Sequence, residues 1–119
     1  MNKNRMSSVW FDRDGAPLLI EGIEPLLSDP NYKVVKQETL PNGLWISTVW
    51  LGFNHNFWFA GPPLIFETMV FSKEDPSCED LDQERYPTEA AAIAGHEQLK
   101  AKWCKQSPPY EPYFKECNK

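Results

Sequence analysis

Two histidines and one oddly placed carboxylate are the side chains of this sequence best suited to acid–base work. His55 lies in Asn54-His55-Asn56, His96 in a run of helix formers, and Glu67 inside the apolar segment Leu64 to Phe71. Imidazole changes charge near neutral pH, so two histidines and a carboxylate converging on one substrate would permit general acid and base catalysis. A carboxylate in a central strand costs several kcal/mol if buried without a partner, so Glu67 should be near solvent, hydrogen-bonded or protonated with a raised pKa. If the loop between the two apolar runs is symmetric, Thr48 faces Glu67 and Ile46 faces Met69. That pairing groups Thr48, Glu67 and either Ser47 or Thr68 with Asn54, His55 and Asn56 at the strand ends, with His96 approaching the same face. The opposing reading makes His96 a core histidine satisfied by a neighbour and Glu67 an anchor for a loop or helix.

Catalytic signatures offer nothing more specific. No G-x-S-x-G elbow, P-loop, G-x-G-x-x-G, H-E-x-x-H or H-x-E with C-x-x-C occurs, so the common hydrolase, nucleotide-cleaving, dehydrogenase and zinc patterns are missing. Cys78, Cys104 and Cys117 are odd in number and far apart, which suggests reduced thiols and neither a disulfide framework nor a metal site. No cofactor is implied. Five Trp and seven Phe suit a core, and equally suit platforms that stack bases or fill protein interfaces. Phe57, Trp58 and Phe59 stand out because they fall in a loop. A nucleotide-like ligand would need stacking plus donors for phosphate, here Trp58 with Asn54, His55, Lys33 or Arg85.

These residues must be positioned by the two apolar runs Leu44 to Leu51 and Leu64 to Phe71, which read as buried strands of a hairpin. Pro41-Asn42-Gly43 joins Leu44 to a preceding strand, Tyr32 to Leu40, so the three should form an antiparallel meander. Upstream, Val9 to Phe11, the Asp14-Gly15 turn and Ala16 to Leu19 read as a small edge hairpin. Ile20 to Leu27 has near-helical spacing interrupted by Pro25, a short or broken helix. The acidic stretch Ser72 to Glu84 reads as a solvated loop, with Glu84 to Tyr86 a short edge strand. Thr88 is a good N-cap for a helix from Glu89 to about Cys104, with Ala92, His96, Leu99 and Trp103 on one stripe facing the sheet. Gly95 inside it points to a close neighbour. The expectation is an α+β domain over residues 1–105. It has an antiparallel sheet of about four to six strands, one long C-terminal and one short helix packed on it, and an extended tail over 106–119 rich in Pro and aromatics.

At 119 residues and a formal charge of −5, the chain fits one domain, and no basic segment marks it as a binder of duplex nucleic acid. The opening MNKNRMSSVW lacks the apolar core of a secretory signal, and no apolar run approaches membrane-spanning length, which places the protein in a cytosol, away from membranes.

Three segments, STVWLGFNH (47–55), GPPLIFETMVF (61–71) and RYPTEAAAIAGHE (85–97), resemble a family of small uncharacterised proteins encoded by bacteriophages and prophages. The resemblance covers about residues 30–100. Asp-His is common in that family where this chain has Asn54-His55, a departure that counts against a shared reaction through that acidic residue. The family brings no activity with it; it implies a phage setting and a bacterial host cytosol. In that setting the foremost expectation is an accessory protein that neutralises a host factor. It would do so by sequestering a nucleotide-like signal or by blocking a defence protein such as a CRISPR nuclease. The alternatives are a small hydrolase or transferase using His55, Glu67 and His96, and a homodimeric phage structural or regulatory accessory.

Overall fold

The sheet is built around the turn Pro41-Asn42-Gly43. Gly43 adopts φ 92°, a conformation nearly free for glycine and strained for other residues. Gly43 N donates to the Leu40 carbonyl at 2.9 Å and Leu40 N to the Leu44 carbonyl at 2.7 Å. The turn joins β1 (Val34–Thr39) to β2 (Trp45–Trp50). β3 (Phe66–Phe71) and β4 (Asp80–Tyr86) follow. All neighbours are antiparallel in the order β1-β2-β3-β4. This is a computed structural model of the chain that describes residues 9–56, 61–73 and 80–110.

The helices are α1 (Ile20–Leu27), the single turn α2 (Pro30–Lys33) and α3 (Glu89–Trp103). The fold is α+β, with the long helix α3 crossing all four strands. Thr88 accepts a hydrogen bond from Ala91 N and caps α3, satisfying one of the amides that a helix start leaves open. Ala92, His96, Leu99 and Trp103 are all buried, as their spacing predicts. Gly95 is buried with them. A Cβ there would lie 2.1 Å from the Tyr86 ring, so its missing side chain is what lets the helix sit down on β4.

Four boundaries depart from the sequence reading. The strand expected from Tyr32 starts at Val34, because the Asp29 side chain accepts from Asn31 N at 3.0 Å and Pro30 begins a helical turn. The acidic run is not all loop: Asp80 to Gln83 belongs to β4, and a bulge between Val70 and Phe71 of the facing strand turns Leu81 and Asp82 both inward. Asp82 is satisfied there by the Trp103 indole at 2.8 Å and Lys102 at 2.9 Å, which composition cannot reveal. The expected edge hairpin is reduced to single bridges, Phe11 to Pro17 and Trp10 to Phe53. Finally, Thr48 pairs with Thr68 and Ile46 with Val70, one residue away from the symmetric-loop expectation. A slip of one position moves every side chain to the other face, so Glu67 opposes Val49 and not Thr48.

Two apolar clusters fill the space between sheet and helices. One holds Phe11, Ile23, Trp50, Ile65, Phe66, Tyr86 and Ala92, with Tyr32 packed edge-on to Trp50 at 4.9 Å. The other holds Leu40, Leu44, Ile46, Val70, Leu81, Leu99 and Trp103, with Tyr110 against it. Tyr110 donates its hydroxyl to the Asn42 carbonyl, and Asn42 Nδ2 donates to the Trp103 carbonyl. The start of the predicted tail, up to Tyr110, is thereby tied to the β1–β2 turn. No described helix is long and apolar enough to cross a membrane.

Candidate functional site

Between the two clusters runs a polar row. Strand pairing places Lys36, Thr48, Thr68 and Glu84 side by side across the sheet, and α3 sets His96 above Thr48. Thr48, Thr68 and His96 are each 0% exposed. The Thr48 and Thr68 hydroxyls are 2.5 Å apart, and Thr48 Oγ1 lies 2.6 Å from His96 Nδ1. The other ring nitrogen, Nε2, meets Glu38 Oε2 at 2.8 Å. Lys100 Nζ donates to Glu38 Oε1 at 3.0 Å, and Lys36 holds Glu97 at 2.6 Å.

This hydroxyl–imidazole–carboxylate order has the connectivity of a nucleophile triad, in which a base orients a hydroxyl and a carboxylate orients the base. It lacks access. A nucleophile must touch its substrate, and Thr48 is covered by α3 on one side and flanked by Lys36 and Thr68 on its own sheet face. The arrangement does what a polar row in a core must do: the side chains of Thr48, Thr68 and His96 each find a partner. An ionised Glu38 can only accept, so Nε2 donates to it. That bond from His96 holds the Glu38 carboxyl below the ordinary carboxylate range, helped by Lys100 and Lys36 and opposed by partial burial.

At one end of the row stands Tyr86. Its buried hydroxyl makes no hydrogen bond of good geometry; burial raises its pKa, and nearby Thr68 lowers it by less. At the other end Glu38, His96 and Glu97 have ligand atoms within 4.8 Å of one another. An imidazole and two carboxylates suit a transition metal. The Lys36 and Lys100 ammonium groups already neutralise these carboxylates, and a dication would have to displace them.

The sequence-predicted residues are therefore spread over three places. Thr48 and His96 meet in the sealed row. Glu67 and Arg85 lie on the opposite face of the sheet, where Glu67 accepts from Arg85 Nε at 3.0 Å and from Gln83 Nε2 at 2.7 Å. Being hydrogen-bonded is the resolution of its burial that the sequence allows. Asn54, His55 and Asn56 form the loop after β2. Asn54 Oδ1 accepts from Asn56 N at 2.7 Å and Leu64 N at 3.0 Å, and His55 Nδ1 bonds the Phe53 carbonyl at 2.9 Å. Asn54 is thus a buried loop anchor, its side chain committed to main chain. Neither Glu67 nor His96 bonds His55. Phe57, Trp58 and Phe59 lie outside the described residues.

Sequence reasoning misses Glu38, the actual partner of His96. Nothing local marks it: it sits among polar residues of the edge strand β1, and only the crossing of α3 over that edge brings it under the imidazole. Arg13 is missed as well. Its guanidinium grips both oxygens of Glu89, at 2.9 and 2.5 Å, and donates to the Tyr32 carbonyl at 2.9 Å, tying the N-terminal loop to the start of α3. The Glu89 bond raises the Arg13 pKa and, reciprocally, lowers that of Glu89.

The sheet face away from α3 is mixed. Trp45 and Phe71 pack as a tilted pair at 5.6 Å, beside Ser47, which Gln37 donates to at 2.9 Å. Comparison with family models, with curated proteins and with solved structures finds no match for this chain.

Proposed function

We propose that this protein is a phage-encoded accessory that acts by binding, neutralising a defence protein of its bacterial host in the cytosol. One observation carries the choice of binding over catalysis: in the only described constellation with catalytic connectivity, Thr48–His96–Glu38, the hydroxyl and the imidazole are fully buried and only Glu38 reaches the edge of the sheet. A second favours a protein target over a small nucleotide-like one. The proposed phosphate donors do not gather: Arg85 is committed to Glu67, Asn54 to its own loop, and Lys33 ends α2. The resemblance to phage proteins supplies the setting, and the net charge of −5 suits a partner whose own working surface is basic.

The test is a plaque assay in bacteria that carry single defence systems, each challenged with a phage which that system restricts. Expression of this protein restores plaques against at least one system, and a His96→Asn variant restores them equally well. No rescue across a panel that includes CRISPR nucleases refutes the proposal. Rescue abolished by His96→Asn in a protein that still folds would return catalysis to favour. Thermal melting against a set of cyclic nucleotides should show no shift.

A further inference from the structure

The net charge of this protein is not spread evenly. Residues 12–31 hold five acidic side chains, Asp12, Asp14, Glu21, Glu24 and Asp29, against the single basic Arg13, a net charge of −4, and are one of two acidic segments, the other being Ser72 to Glu84. Arg13 is itself spent on Glu89. Among the described residues none of these five carboxylates has an ion-pair partner. Asp12 and Asp29 accept main-chain amides and shape the turn and the α2 start, while Glu21 and Glu24 are exposed on α1.

The same segment holds the two most exposed large apolar side chains described, Leu19 at 78% and Ile20 at 64%. They begin α1, whose inward stripe of Ile23, Leu26 and Leu27 is already used against the first core cluster. Ile20 and Glu24 are four residues apart and so share the outward stripe. Packing therefore does not explain Leu19 and Ile20. They remain mostly in water after folding, and two such adjacent side chains at the rim of an acidic knuckle match the make-up of a recognition surface, an apolar centre with a charged rim.

We infer that the knuckle formed by the Asp12–Gly15 turn and α1 is the docking surface for a basic protein, with Leu19 and Ile20 entering an apolar recess flanked by Lys and Arg. The occupant follows from charge complementarity. Five carboxylates outside any described ion pair repel an acidic or nucleic-acid partner and accelerate encounter with a cationic one. This inference rests on the binding reading above and names its surface.

The experiment measures fluorescence anisotropy of a synthetic amphipathic peptide, with Lys and Arg on one stripe and Leu on the other, titrated with the full chain. A control peptide replaces each cation by Gln. Three variants are compared: Glu21→Lys/Glu24→Lys, Leu19→Ser/Ile20→Ser, and Trp45→Ala on the far sheet face. All altered side chains of the first two are exposed, so melting temperatures should hold. The cationic peptide is expected to bind at least roughly tenfold more tightly than its control at about 50 mM salt, with the difference shrinking at about 300 mM as screening grows. Each α1 variant should weaken binding roughly tenfold and Trp45→Ala should not. No preference for the cationic peptide, or equal binding by the α1 variants, overturns the inference. In the plaque assay the same variants separate the two levels. Rescue by wild type and by both α1 variants refutes this surface alone, whereas no rescue by wild type refutes the function on which it rests.

Discussion

Replacing Gly95 by Ala tests how closely α3 approaches the sheet. In an exposed helix this change gains about 1 kcal/mol, because alanine is the better helix former. Here the new Cβ would lie 2.1 Å from Tyr86 Cε1 and 2.3 Å from its Cζ and hydroxyl oxygen. Ordinary contacts between carbon atoms begin near 3.5 Å, so the ring or the helix must move by more than an ångström. Tyr86 is buried in the first cluster beside Phe66 and Ala92 and has little room to yield. Overpacking of this kind costs about 1–3 kcal/mol, and the large overlap places it toward the upper end. The net expectation is a loss of about 1–2 kcal/mol, read as a lower urea midpoint or a melting temperature reduced by roughly 4–10 °C. A Tyr86→Leu background removes the obstruction, and there Gly95→Ala should stabilise by up to about 1 kcal/mol. The change of sign is the diagnostic. If Gly95→Ala stabilises the unaltered protein, α3 does not rest on Tyr86 and the reasoning fails.

Three further outcomes follow from the polar row. Thr48→Val strips His96 Nδ1 and Thr68 of a partner in a sealed space and should cost about 1–3 kcal/mol in denaturant unfolding, while leaving plaque rescue intact. Tyr86→Phe removes a buried hydroxyl that makes no good hydrogen bond, so it should be neutral or mildly stabilising; a loss near 1 kcal/mol would show that the bond to Thr68 is real. Glu38 and Glu89 have carboxyls held below their ordinary value, by His96 and by Arg13 respectively. Their stabilising effect is complete above the unfolded-state pKa of about 4.3 and is lost as pH falls through the lower folded value. Urea midpoints should therefore drop below about pH 4, and less steeply in Glu38→Gln, which surrenders the benefit at higher pH.

The parts of this molecule that were legible in the sequence are those fixed by short-range periodicity. The stripe Ala92, His96, Leu99, Trp103, the turn at Gly43 and the apolar strands around Trp50 and Phe66 each follow from spacing alone. The candidate site was not legible, because it depends on the pairing of β2 with β3. A one-residue difference there exchanges Glu67 for Thr68 opposite Thr48 and puts the carboxylate on the far side of the sheet. No residue in the connecting loop announces that difference. Glu38 is hidden for another reason, since an acidic residue in an edge strand looks like any solvated one until a helix crosses it.

The polar row also has a bearing on how the chain finds a single arrangement. An α3 that offered the sheet only Ala92, Leu99 and Trp103 would be nearly as content one turn, about 5.4 Å, up or down its axis, where oil meets oil again. His96 removes that freedom. Shifted by a turn it would lose both Thr48 and Glu38 and sit over Trp50 or Ile46 with two nitrogens unbonded. The row works as a detent between two greasy bearings, trading some stability for one stopping point. The position of α1, which packs into the first bearing beside Ala92, is indexed by the same stop.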